Sequence, residues 1–371
     1  MVYPLLTEIY SALFLRLAMD MGGQARLGLA LGTYASRLAY DDDGEIVGAR
    51  AMMRQAAGMI PSQESPRNSG MTQLLWATIE MLSGHWHASF EHAKNARSTF
   101  EDKCRGVAWE TATASSYYLT ARTLMGDWQA NAVERPKMME NARARGDRYA
   151  EVTLPLVTGF YASYLAGDRP DEAEDLVHRY IARWPRGEFD VQQLYALQAL
   201  VDLDLYRGDG WRAWNRVETA WDRVRASGLL GISLLQWFTL SCRGRAAVAF
   251  AATQGASEGE KRKLLSIATD SARVLLRAKR KYANGLGCVV AAGVRTIRND
   301  RATAADLLGR AEECFAAAEL HPWRSAALLA LAELTEEPRA SQLREQGLVW
   351  MKSQEVRRAQ CLVRMFCPPA S

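Results

Sequence analysis

The stretch that decides the fold is residues 200–214, which reads LVDLDLYRGDGWRAW. An apolar segment ends at Gly208, and a second amphipathic segment begins directly after Asp209. Glycine can adopt the left-handed backbone conformation that closes a helix, and an aspartate after it can cap the next helix by accepting backbone N–H bonds. This short stretch therefore predicts a tight turn between two helices.

The same kind of break recurs at intervals of about 40 residues, which is the signature of an internal repeat. The glycines at these breaks are Gly44, Gly84, Gly126, Gly167 and Gly208. Apolar residues around them keep helical spacing, and no stretch alternates in the way that strands require. The sequence predicts an all-α fold, a superhelical solenoid of antiparallel helix pairs.

The repeats predict one continuous domain over residues 1–371. Residues 1–228 contain the regular repeats, and residues 229–371 contain variant repeats and a C-terminal cap. Helix boundaries in the second part are expected at Gly255, at a capping box of Ser257 and Glu260, at Asn284-Gly285, at Asn299-Asp300 and at His321-Pro322.

Two further segments carry definite predictions. The apolar run from Pro4 to Met19 contains Glu8 and Arg16 and keeps helical spacing, so we expect an amphipathic helix with a buried stripe and neither a targeting segment nor a membrane span. Residues 61–70 are rich in Pro, Ser, Asn and Gly, which predicts a long loop between neighbouring hairpins.

Composition excludes several classes of protein. The 371 residues are 49% hydrophobic and 24% charged, which is typical of a folded globular chain and excludes disorder. The net charge of +4 comes from 46 basic and 42 acidic residues, so no field indicates a nucleic-acid partner. The six cysteines form no C-x-x-C pair, which favours reduced thiols in a cytoplasmic protein.

Motifs for catalysis are absent from the sequence. There is no kinase catalytic loop, phosphate-binding loop or nucleophile elbow. The segment Asp41–Gly44 does not fit a calcium loop, because Ala39 and Arg50 stand where carboxylates are needed. The cluster of His85, His87, Glu91 and His92 lacks the remaining ligands of a zinc site. The sequence predicts no catalytic residue, cofactor or metal, although carboxylate acid/base catalysis leaves no signature and stays open.

A stack of helical hairpins presents a long concave surface, which is usually lined by the first helix of each pair. We therefore expect the protein to function by binding another molecule on this surface. Polar and amphipathic residues lie on three successive first helices and could hydrogen-bond a partner segment. These candidate partner-binding residues are Glu110, Tyr117, Tyr161, Gln193, Tyr195, Gln198 and Asp202.

Three stretches carry a resemblance to a known family: residues 105–111 with 144–150, residues 193–210, and residues 350–365. The chain resembles arrays of tetratricopeptide repeats, and more narrowly the C-terminal repeat region of large planctomycete and myxobacterial serine/threonine protein kinases. The kinase and ATPase domains of those proteins have no counterpart in this sequence. The resemblance implies a regulatory or sensory role and a kinase or ATPase module as partner.

Two functions follow as expectations. The first is a non-enzymatic scaffold that binds a protein partner, and the alternative is a sensory domain that binds a small molecule in its concave groove. A third and weaker hypothesis is nucleic-acid binding through Lys261–Lys263 and Arg277–Lys281. An open concave face would favour the scaffold, and a filled one would favour ligand sensing.

Overall fold

The computed structural model describes residues 4–40, 45–61, 65–185 and 187–369. In these residues all regular structure is helical, and none forms a strand, so the predicted all-α class is confirmed for the described chain. The helices are α1 Pro4–Met21, α2 Gln24–Leu38, α3 Glu45–Met59, α4 Pro66–Ser83, α5 Trp86–Lys103, α6 Ala108–Met125, α7 Trp128–Ala144, α8 Arg148–Val157, α9 Tyr161–Ala166, α10 Pro170–Ala182, α11 Val191–Arg207, α12 Gly210–Ala226, α13 Ser233–Ala251, α14 Glu258–Arg277, α15 Lys281–Ile297, α16 Arg301–Ala317, α17 His321–Ala332, α18 Arg339–Ser353 and α19 Ala359–Phe366.

Consecutive helices pack as hairpins, beginning with α2–α3, α4–α5 and α6–α7 and continuing to α17–α18. In the fourth hairpin the first helix is divided into α8, which contains Pro155, and α9, which begins shortly after Gly159 (φ +64°). The first helices also contact one another in order: α2 with α4, α4 with α6, α6 with α8, α8 with α11, α11 with α13, and α13 with α15. The hairpins are therefore stacked through their first helices.

The predicted glycine turns are confirmed at three positions. Gly84, Gly126 and Gly208 end their helices in the left-handed conformation, with φ of +80°, +96° and +83°. Gly167 differs, because its φ is −78° and the next residue, Asp168, adopts the left-handed conformation instead. Gly44 lies outside the described residues.

The predicted caps after these glycines are only partly correct. The Asp209 carboxylate accepts a hydrogen bond from the backbone N–H of Arg212 at 2.9 Å, as predicted. The side chain of Asp127 forms no such bond and lies 3.8 Å from the Nε of Arg122. Arg122 therefore competes with the start of α7 for the Asp127 carboxylate.

The helix break predicted at Asn284-Gly285 is wrong, since both residues lie inside α15. The Asn284 amide donates to the carbonyls of Leu275 and Ala278, at 3.1 and 2.8 Å, and so closes the end of α14 from within the next helix. A Cβ on Gly285 would lie 2.7 Å from the ring of Phe315. Asparagine and glycine here serve helix packing, whereas the break itself falls at residues 278–280.

The other helix boundaries predicted at Ser257 with Glu260, at Asn299 (φ +58°) and at His321-Pro322 are confirmed.

The loop predicted over residues 61–70 is also wrong in its second half. Helix α4 begins at Pro66, capped by the Ser65 hydroxyl, and residues 62–64 lie outside the described part. Gly70 is helical, and a Cβ there would overlap the ring of Phe100. The glycine marks a close helix contact and not a loop.

Helix α1 forms as predicted, but its large apolar residues are not buried. Its main neighbour is α2, and the positions buried there are the small residues Ser11 and Ala18. The expected stripe is exposed to solvent at Ile9, Tyr10, Leu13, Phe14 and Leu17. Among the described helices none is both long and apolar enough to cross a membrane.

The C-terminal segment folds back onto the turns of earlier hairpins. The Trp350 indole Nε1 donates to the carbonyl of Gly126 at 3.1 Å, and the backbone N–H of Arg357 donates to the Ala166 carbonyl at 2.9 Å. Further along, Arg364 donates to the carbonyl of Tyr206 at 3.1 Å and lies against Gly208. Three successive turns thus hold the last 20 residues of the described chain in place.

We expect Gly126→Ala to destabilise the protein more than Gly106→Ala does. Both glycines have a positive φ, of +96° and +68°, which costs alanine about 1–2 kcal/mol. A Cβ at residue 126 would also overlap the Trp350 indole, adding about 1–3 kcal/mol, whereas residue 106 has open space around it. Denaturant midpoints measure the difference, and equal midpoints would contradict the docking role of Trp350.

Candidate functional site

A cavity of about 120 Å³ lies against the first helices of four successive hairpins. Helices α6, α9, α11 and α13 form its walls, and α17 and α19 cover it from the C-terminal half. The lining residues are Thr120, Thr123, Leu124, Trp128, Leu156, Val157, Thr158, Gly159, Tyr161, Ala162, Tyr195, Gln198, Asp202, Leu234, Phe238, Cys242, Arg245, Pro322, Trp323, Met365 and Phe366.

Four of the seven predicted partner-binding residues line this cavity: Tyr161, Tyr195, Gln198 and Asp202. The Tyr161 hydroxyl donates to Asp202 at 2.6 Å, and the Gln198 amide donates to the Thr239 hydroxyl at 3.0 Å. Both pairs join residues 41 positions apart, which is the spacing of the predicted repeat. Equivalent positions of neighbouring hairpins therefore meet at the cavity wall.

Asp202 is the centre of a buried polar group. One carboxylate oxygen accepts from Tyr161, and the other lies 2.9 Å from Nη1 of Arg245. Burial, together with the Asp202 carboxylate, raises the pKa of Tyr161 well above its ordinary value, so its hydroxyl stays a donor. Because the aspartate and the arginine oppose each other, the group has no net charge.

Arg245 connects this group to the covering helices. It is only 3% exposed, and its Nη1 donates to the Met365 carbonyl at 2.7 Å while its guanidinium carbon lies 4.9 Å from the Trp323 ring centre. Burial alone would lower the pKa of Arg245, but the Asp202 carboxylate raises it above the usual value. Among the described residues its Nε has no hydrogen-bond partner, so one buried donor is left unsatisfied.

The remaining walls are mostly apolar and chemically unreactive. Burial raises the pKa of the Cys242 thiol to about 12, so the thiol is neutral at physiological pH and a weak nucleophile. Burial also raises the pKa of Tyr195 to about 12, and its hydroxyl forms no hydrogen bond within the described chain. The arrangement is suited to holding an uncharged molecule.

The other three predicted residues lie elsewhere and support the stack. Glu110 forms an ion pair with Arg67 of α4 at 2.9 Å. The side-chain oxygen of Gln193 accepts from the backbone N–H of Asp190 at 2.9 Å and completes a capping box at the start of α11. Tyr117 packs against the core, and burial raises its pKa. None of these three lines the cavity.

Sequence reasoning missed Arg245, Trp323 and Phe366, because they come from the variant half of the chain. Arg245 had a usable signal, since it lies within the apolar run that became α13. Trp323 and Phe366 had no such signal, because their helices reach the cavity only through tertiary packing. The ring centroids of these two residues lie 4.4 Å apart.

The histidine cluster is dispersed in the structure. His85 Nδ1 lies 3.4 Å from a carboxylate oxygen of Glu80, and His92 Nδ1 lies 2.7 Å from the side-chain oxygen of Gln73. In the described ranges no three His, Cys, Asp or Glu side chains converge as a metal site would require.

Comparison with known proteins supplies no family. A scan against protein-family models gives no match, and a search of curated proteins finds no significant relative. The resemblance to kinase-associated repeats stays a prediction, and the case for the site depends on its geometry.

We expect Asp202→Ala to destabilise the protein by about 3–5 kcal/mol, because it leaves the Arg245 guanidinium buried without its counter-charge. Replacing both partners, as Asp202→Leu with Arg245→Met, should recover much of that loss. Asp222→Ala removes an exposed ion pair with Arg225 and serves as the control with little effect. Chemical denaturation measures all three, and a double variant as unstable as Asp202→Ala would contradict the pairing.

Proposed function

We propose that this chain is a sensory domain that binds a small molecule in the cavity around Asp202 and Arg245. The observation that carries the proposal is that Tyr161, Tyr195 and Gln198 face this cavity, and that α17 and α19 cover it. We further propose that the stacked hairpins form a tetratricopeptide-like superhelical solenoid, since first helices pack in order at intervals of about 40 residues. A filled concave face favours ligand sensing over an extended partner groove.

The shape and chemistry of the cavity define the ligand class. An apolar cavity of roughly 150 Å³ holds benzene in another protein, so about 120 Å³ suits a molecule of one small ring. Phe238 and Trp323 offer aromatic surface, and the guanidinium of Arg245, which has one unsatisfied N–H group, belongs to the cavity wall. The ligand we propose is neutral, monocyclic and mainly apolar, with one hydrogen-bond acceptor.

The cavity also provides a route from binding to signalling. Met365 and Phe366 belong to α19, and the preceding residues dock on the turns at Gly126 and Ala166. A ligand that favours the covered arrangement would shift the chain toward the docked C-terminal segment. A kinase or ATPase module that senses this segment would then receive the signal, which is the context that the resemblance implies.

We expect phenol to raise the melting temperature of the full chain, because a ligand that binds only the folded state stabilises it, by about 2.7 kcal/mol at 100 times its Kd. Ala162→Leu fills the cavity and should abolish the shift, while Ala144→Leu on the exposed end of α7 should leave it unchanged. Thermal denaturation and calorimetric titration measure both effects. No saturable binding of phenol would argue against the proposal.

A second function, a scaffold for protein partners, is favoured by the exposed apolar side of α1. Leu13 and Leu17 are 47% and 55% exposed, and apolar side chains of this size normally lie against another helix. Glu8 pairs with Arg37 of α2 at 3.2 Å within the chain, so what an antiparallel α1 from a second copy would offer this side is an apolar face. We propose self-association as the first interaction of such a scaffold.

We expect light scattering to give a mass of about two chains for the wild-type protein and one chain for Leu13→Glu with Leu17→Glu, because two carboxylates cannot be buried unpaired in the interface. Ala144→Glu, at an exposed position on α7, should keep the wild-type mass. A wild-type protein that stays a single chain at high concentration would remove this support for the scaffold.

A further inference from the structure

A second and larger cavity, of about 420 Å³, lies on the other side of the α8–α9 bend. Helices α7, α9 and α10 form its walls, and residues 355–357 of the C-terminal segment lie at its edge. It shares no lining residue with the cavity around Asp202, which we call the inner cavity. We call it the arginine pocket, after the lining residues Arg135, Arg143, Arg169 and Arg357.

The charge of the arginine pocket is strongly unbalanced. Four arginines line it, and Glu355 is the one acidic side chain among the described lining residues. Arg169 lies 3.4 Å from the Glu172 carboxylate, outside the pocket. Arg135, Arg143 and Arg357 form no ion pair within the described part of the chain. The arginine pocket is therefore a concave region of positive potential, and such regions concentrate anions.

Arg135 is the decisive residue, because it is a buried cation without a carboxylate. It is 7% exposed, and its Nη1 donates to the Phe160 carbonyl at 3.3 Å. Its Nε has no hydrogen-bond partner among the described residues. Burial lowers its pKa to about 10, with Tyr164 and Tyr180 as the groups that oppose the shift. A buried, uncompensated charge is costly, and an oxyanion beside it would remove that cost.

Aromatic rings provide the second part of the arginine pocket. Phe160 contacts Tyr164 and Tyr180 edge-on, with ring centroids 5.9 and 5.7 Å apart. The Arg169 guanidinium carbon lies 4.7 Å from the Tyr164 ring centre. Rings and guanidinium planes are good surfaces for stacking a planar group.

From this geometry we propose that the arginine pocket binds a small phosphate monoester that carries a planar ring. Phosphate fits the several guanidinium groups because it carries nearly two negative charges at neutral pH and accepts bidentate hydrogen bonds. Arg135 and Arg143 hold the phosphate, and Tyr164 or Tyr180 packs against the ring. The volume of about 420 Å³ accommodates both groups.

Calorimetric titration of the full chain with phenyl phosphate, inorganic phosphate and phenol tests the proposal. Phenyl phosphate should bind more tightly than inorganic phosphate, since the ring adds apolar contact. Arg143→Ala and Arg357→Ala change exposed side chains, so they should fold normally and weaken phenyl phosphate binding about tenfold each. Arg145→Ala, exposed on the same helix end but outside the arginine pocket, is the matched control and should bind as the wild type does.

Two results would overturn the proposal: no saturable binding of phenyl phosphate at millimolar concentration, or equal affinity in Arg143→Ala and Arg145→Ala. Ala162→Leu separates the two sites, because Ala162 lines the inner cavity and does not line the arginine pocket. If Ala162→Leu abolishes the binding of phenyl phosphate and Arg143→Ala does not, the compound occupies the inner cavity. That result would also refute the assignment to the arginine pocket.

Discussion

The structure depends on helix turns that have no side chain at the point of contact. At Gly84, Gly126 and Gly208 the left-handed backbone lets a group from the second half of the chain lie directly on the turn. Tyr282 lies on the turn at Gly84, Trp350 on the turn at Gly126 and Arg364 on the turn at Gly208. A Cβ at Gly84 or Gly126 would collide with its neighbour, and one at Gly208 would lie 3.1 Å from the Arg364 guanidinium. Because these contacts hold the C-terminal half in place, the cover of the inner cavity also depends on them.

Helix α11 connects the interior of the stack to its outer layer through two aspartates. Asp202 faces the cavity and pairs with Arg245, whereas Asp204 faces the opposite way and lies 2.5 Å from Arg216 of α12. Glu174 of α10 joins the same outer group, 2.7 Å from Arg216. The surrounding arginines lower the pKa of Glu174 despite its partial burial. Charged groups on both sides therefore fix the position of one first helix between its neighbours.

Local chemistry in the sequence was enough to predict most of the helices and the turns at Gly84, Gly126 and Gly208. Four of the residues predicted to bind a partner line the cavity, and their role in binding stays a prediction. Local chemistry failed where glycine or asparagine serves packing between helices, as at Gly70 and Asn284. Composition does not distinguish a residue that breaks a helix from one that lets a ring approach it. The cover of the cavity was unpredictable for a related reason. Contacts such as Arg245 with Met365 join residues 120 positions apart, and no local pattern encodes that separation.

The long separation of these contacts also determines when the inner cavity can exist during synthesis. Trp350 meets Gly126 across 224 positions, and Arg364 meets Tyr206 across 158. Closing such loops carries an entropic cost that local hairpins avoid. A nascent chain can build its hairpins one after another as it leaves the ribosome. Met365 and Phe366 complete the cavity wall, so the cavity itself is complete only when α19 has been made.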